Sequence, residues 1–249
     1  MESPPAFNEH TLLGQIAAVF PPSMRIFEAH GLDYWCGGQR PLGEACAGAG
    51  CPPGEVVGAI QELRLKDVTV YRDWTGDSLA DLAAHLLTTH HAHARTELER
   101  LAPLMEQVTQ VPNPELSDLR VHFTELRSHL ESHLMHEEQI VFPYLLAMEA
   151  GEVPATCFGT VANPIRTMQE EHDQVGRLMR RMRDLSSDFT APEGACESRR
   201  RLFKGLADLE ADLRQHLHLE NNVLFPKAEA LEHSKIPECA SPPCFLIEF

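Results

Sequence analysis

Apolar residues recur at helical spacing along almost the whole chain, but in two textures. In the first third the runs are short and broken by proline and glycine. Residues 12–20 and 23–30 read as short helices, the second closed by Gly31 as a left-handed cap. The loop Asp33-Tyr34-Trp35-Cys36-Gly37-Gly38 follows, then short helices over 42–47 and 54–65 and a linker over 66–76. From Ser78 the 3.6-residue period runs long, with very few strand signals. It predicts four helices, over about 78–108, 115–148, 163–185 and 196–232. Pro112 and Pro114 separate the first two, loops over 151–160 and 186–194 divide the rest, and Pro143 and Pro226 should bend the second and fourth. Long helices with short connections make an antiparallel bundle. The expected architecture is therefore all-α: a small helical domain over residues 1–70, a four-helix bundle over 77–232, and a tail over 233–249 without clear structure.

The second and fourth bundle helices carry one motif twice. HLMHEEQIVFP begins at His133 and HLHLENNVLFP begins at His216, so that His133, Glu137, Phe142 and Pro143 recur as His216, Glu220, Phe225 and Pro226 at one constant offset. The first and third helices offer His91 and His172 at nearly the same offset. Each half of a duplication thus supplies one helix with a histidine and one with His-x-x-x-Glu. Residues four apart share a helix face about 6 Å apart along the axis, so imidazole and carboxylate can both point into the bundle. A single such pair is usually a surface ion pair; two copies in the same apolar Phe-Pro context are not. Two buried carboxylates are very costly without a compensating charge, and two dications would supply it.

Composition narrows the chemistry. The 249 residues include 14 histidines, and 21 basic against 37 acidic side chains give a formal charge of -16. That charge disfavours nucleic acid and anionic membrane surfaces as partners. The start lacks a basic and then apolar leader, and no apolar run approaches a membrane span, so a cytoplasmic protein is expected. Seven cysteines at irregular spacing read as free thiols in a reducing compartment. No nucleophilic triad, P-loop or dinucleotide fingerprint competes.

The other histidines divide by position. His90 and His93 should face away from His91, His136 and His218 occupy different places in the two motif copies and are not expected as ligands, and His122 and His233 read as solvated. His129 and Asp212 stand four before His133 and His216 and are candidates for orienting them; His85 is the candidate for His91. Imidazole with carboxylate suits iron, zinc or manganese, and the residue types alone do not choose. Two histidines and two bridging glutamates give each ion four donors and leave room for a small diatomic ligand. Apolar neighbours (Leu87, Val141, Phe142, Val175, Leu178, Val223, Phe225) favour neutral O2 or NO over a charged substrate.

These residues carry a resemblance. His91 in HLLTTHHAH, His133 and Glu137, His172 in MQEEHDQVGRL, and His216 and Glu220 resemble hemerythrin-like di-iron domains, in particular the repair-of-iron-centres family of iron–sulfur cluster repair proteins. GLDYWCGG followed by LGEAC resembles that family's N-terminal domain, and the likeness spans roughly residues 10–230. It implies a cytoplasmic stress-response protein with two non-haem iron ions bridged by both glutamates, one taking His91 and His216 and the other His133 and His172. It further implies NO binding or reduction, damaged iron–sulfur proteins as partners, and is compatible with a homodimer. The family loop has a cysteine where Trp35 stands, so Cys36, a candidate redox thiol, would need Cys46 or Cys51 as partner. Gly37 and Gly38 would allow positive backbone angles and an exposed sulfur. Two rival readings share part of this pattern: an O2 or NO sensor or scavenger without turnover, and a bundle whose histidines are merely packed.

Overall fold

The computed structural model describes residues 7–235 apart from 68, 70, 111, 112 and 153–158. The break at Pro112, the tail beyond Lys235, and Cys157, Cys239 and Cys244 lie outside the described residues. Among the described residues the chain is all-helical, with only an isolated bridge between Leu12 and Pro41. Helices α1 (Leu13–Val19), α2 (Ser23–Ala29), α3 (Leu42–Ala49) and α4 (Pro53–Lys66) fill the first third. Gly31 and Gly50 take the left-handed angles (φ 65 and 73) that close α2 and α3. Pro53 starts α4, while Arg64 and Lys66 sit on its negative end.

Four long helices form the antiparallel bundle: α5 (79–108), α6 (114–149), α7 (Ala162–Leu185) and α8 (197–235). Ser78 and Asn113 cap α5 and α6 by accepting from the amides of Asp81 and Leu116, each cap worth about 1 kcal/mol. α5 packs along α8 and α6 along α7.

The apolar interior is divided. One cluster joins the first third (Phe27, Tyr34, Trp35, Ile60) to one end of the bundle, through Leu98, Leu130, Val175 and Leu213. The other fills the opposite end with Leu82, Leu86, Phe142, Ile165, Leu224 and Phe225. Between them, at the same level on all four helices, lies a layer of buried histidine and glutamate. No helix among the described residues is long and apolar enough to cross a membrane.

Candidate metal centre

Three of the four bundle helices are locally widened at this layer. A π-turn spans Leu86–His91 in α5, another Glu137–Val141 in α6 and a third Glu220–Leu224 in α8. The last two stand directly before Phe142-Pro143 and Phe225-Pro226. A proline ring cannot donate to, and crowds, the carbonyl four residues back, and the wider π-turn relieves that conflict without ending the helix. The bend expected at Pro143 and Pro226 takes this form. Glu137 and Glu220 open their π-turns, His91 ends the third, and His172 comes from the regular turns of α7.

All six sequence-selected side chains, His91, His133, Glu137, His172, His216 and Glu220, come together, each at most 1% exposed. Glu137 Oε1 lies 3.3 Å from His133 Nε2, and its Oε2 lies 3.4 Å from His91 Nε2. Glu220 Oε1 is 2.9 Å from His216 Nε2, and its Oε2 is 3.1 Å from His172 Nε2. Two quartets result, His91-Glu137-His216-Glu220 and His133-Glu137-His172-Glu220, each with donor atoms within 4.8 Å of one another and both glutamates shared. Phe142 and Phe225 press on the rings of His91 and His172, at 5.6 and 5.9 Å.

The outer nitrogens reveal the duplication again. His91 Nδ1 donates to Glu138 (2.8 Å), and His172 Nδ1 donates to Asn221 Oδ1 (2.9 Å). Glu138 and Asn221 are the residues that follow the two shared glutamates. His133 Nδ1 donates to Glu171 (2.7 Å), the residue before His172. The equivalent position before His91 is His90, which cannot serve in the same way, and His216 Nδ1 has no hydrogen-bond partner. His90 is instead buried, stacked parallel on His216 and donating from Nδ1 to Asp212 (2.9 Å).

Four expectations are corrected here. His90 does not face away: it is the neighbour of His91 at the end of a π-turn, and both rings are buried. Asp212 pairs with His90 rather than His216. His129 pairs with Gln174 on α7 (2.8 Å), leaving His133 to Glu171. His85 stacks on Trp74 and meets Thr89, while Glu138 holds His91.

The donor set fits cations. With Nδ1 donating outward, a neutral imidazole turns its Nε2 lone pair to the centre. His133 and His172 bring those atoms within 3.1 Å of each other, which is repulsive unless a positive charge lies between them. Neither oxygen of Glu137 has a hydrogen-bond partner, nor has His91 Nε2 or Glu220 Oε2. A buried carboxylate faced only by neutral imidazoles costs several kcal/mol unless a proton or a metal cation balances its charge. Protonation follows the same geometry. Burial pulls the His133 imidazole down, but Glu137 and Glu171 outweigh it and raise the group to about 10. His216, with no outer acceptor, is held down by burial. Burial opposes ionisation of Glu137, yet the facing imidazoles hold its carboxyl well below the usual range.

The N-terminal loop is clasped to this site. Asn221 Nδ2 donates to the Trp35 carbonyl (3.0 Å) while its oxygen holds His172. Asn222 donates to the Tyr34 carbonyl (3.0 Å), and its side chain lies in a notch between Gly14 and Gly38, where a Cβ would stand 2.3 and 2.2 Å from its Oδ1. Gly37 and Gly38 are thus not needed for positive angles, which neither adopts. Cys36 is half-buried, with burial first and Asp33 and Asp173 next pushing its thiol up, which opposes thiolate reactivity. Cys46 and Cys51 interact with each other. His218, buried edge-on against Tyr34 at 5.7 Å, belongs to this clasp and to neither quartet. A possible signal for Asn221 was its place after Glu220, matching Glu138 after Glu137.

Comparison with known proteins agrees with the arrangement. Residues 82–228 match the hemerythrin HHE cation binding domain, and residues 9–64 match a domain of unknown function. The chain is 36% identical over 221 residues to the iron-sulfur cluster repair protein YtfE of Edwardsiella ictaluri, covering 87% of this chain and 95% of that protein. It is 32% identical over 223 residues to the protein of the same name from Escherichia coli O157:H7, covering 88% and 97%.

Proposed function

The chain belongs to the hemerythrin HHE cation-binding family, and from that premise we propose that it is an iron–sulfur cluster repair protein working through a carboxylate-bridged pair of iron ions. In this reading Glu137 and Glu220 are shared by both ions, His91 and His216 complete one set, and His133 and His172 complete the other. The observation that carries it is the pair of fully buried carboxylates facing four imidazole nitrogens, with both oxygens of Glu137 lacking any hydrogen-bond donor. A bound iron pair would supply open coordination positions and reducing equivalents for a diatomic ligand such as NO or O2. Glu138, Glu171 and Asn221 fix the tautomers of three ligands, while Phe142 and Phe225 exclude water. In this reading the partners are iron–sulfur proteins with damaged clusters, as the role of the relatives in cluster repair suggests, and the protein works in the cytoplasm.

The test is anaerobic recovery of a cluster-dependent dehydratase inactivated by NO. The iron-loaded chain is expected to restore activity, and His133→Ala, which removes one ligand, is expected to lose that capacity together with its iron. Equal recovery by an iron-free His133→Ala chain would overturn the reading.

A further inference from the structure

Where the first third of the chain meets α5 and α8, an open cleft of about 630 Å³ lies beside the buried layer. That size suits a small organic molecule. Ala17, Pro21 and Leu63 give it apolar walls, and its charged lining is mixed, with Arg25 and Arg72 beside Glu28 and Asp67. His218, also in the lining, is fully buried and keeps an Nε2 without a hydrogen-bond partner.

A column of rings, Trp74, His85 and His90, forms one wall of this cleft, and His216 lies behind its last member. The Arg72 guanidinium lies 3.8 Å over Trp74, Trp74 stacks on His85 at 4.3 Å, and His85 meets His90 edge-on at 5.4 Å. His90 then lies parallel to His216, at 5.7 Å and 12°. The column ends at the one corner where the duplication is broken. The position that places a carboxylate on His133 in one half holds an imidazole ring in the other, and that ring faces the cleft. The break thus puts a ring, in place of an anchoring carboxylate, between the cleft and His216.

We propose that the cleft binds a planar heteroaromatic electron carrier of the flavin class, its anionic tail on Arg25, and that Trp74, His85 and His90 connect it to the His216 side of the metal centre. A column of rings passes single electrons, which a flavin can release one at a time and a hydride donor cannot. The balance closes with two ferric ions as acceptors. A dihydroflavin loses two electrons and two protons to become the oxidised flavin, each ferric ion gains one electron, and the protons leave through the open mouth. The electron path rests on the iron reading above; the binding site does not.

The experiment uses the full iron-loaded chain, with iron counted first so that failure of the metal reading is seen separately. Oxidised flavin mononucleotide is titrated by its fluorescence. Saturable quenching is expected, weakened about 10-fold or more when riboflavin, which lacks the phosphate, replaces it, or when Arg25 becomes glutamate (Arg25→Glu). Ala211→Trp, which narrows the cleft from an exposed helix position, should abolish binding. In stopped flow, bleaching of the ferric absorption by reduced flavin mononucleotide should saturate and slow about 10-fold or more in Ala211→Trp and in His85→Leu, with iron content and reduction by dithionite unchanged. Absence of saturable binding would overturn the site. Equal affinity for riboflavin would overturn the role of Arg25, and an unchanged rate in His85→Leu would overturn the ring path.

Discussion

Three of the four central histidines, His91, His133 and His172, divide their work between two nitrogens, one toward the shared glutamates and one toward an outer acceptor. The outer contact is what fixes the tautomer, so its loss should be felt at the centre. Glu171→Ala is expected to lower iron affinity by about 10- to 100-fold, measured by competition with a chelator. Asp212→Ala, which touches His90 instead of a ligand, should leave it within a few-fold, since His216 already lacks an acceptor. The six inner residues were legible because two copies of one motif are far harder to explain by chance than one. The outer partners were not. Sequence reasoning sought them four residues away on the same helix, at His129 and Asp212, whereas Glu138, Glu171 and Asn221 reach across from neighbouring helices beside ligands of their own. Contacts between helices leave no period in a single sequence.

Helix extents followed from apolar periodicity, prolines and caps, and the four bundle helices end close to where those signals put them. The π-turns were half legible. Pro143 and Pro226 announced a disturbance in α6 and α8, but the turn at Leu86–His91 has no proline to mark it and brings His90 inward unannounced. Gly37 and Gly38 suggest conformational freedom when seen in the sequence alone, whereas closeness of approach is what the fold demands. Gly38 lies where a Cβ would also stand 2.6 Å from the Tyr34 carbonyl, which is backbone and cannot swing aside. Gly38→Ala is therefore expected to destabilise the chain by about 1–3 kcal/mol, read as a lower Tm and as faster proteolysis of the loop over 33–40. An unchanged Tm would show that the loop can do without the close approach at Gly38.

Across the whole molecule the polar layer separates two apolar clusters, and its charge balance governs how stability responds to pH. In the metal-free chain His133 gains a proton-stabilising environment, with its group raised from the ordinary 6.5 to about 10. Its contribution is complete below about 6.5 and is lost as pH rises through about 10. Glu137, held low, contributes above the ordinary carboxylate range and is lost only on strong acidification. Thermal unfolding of the metal-free chain should thus show stability declining from about pH 6.5 upward. The iron-loaded chain should not share that decline, because bound metal replaces the proton and binding releases it.

Mössbauer spectroscopy of the anaerobically iron-loaded chain, with iron counted per chain, decides whether the buried carboxylates exist to bridge metals. About two irons per chain in an antiferromagnetically coupled pair, lost in a Glu137→Ala variant, are expected. A single uncoupled iron, or a pair that persists without Glu137, would contradict the account.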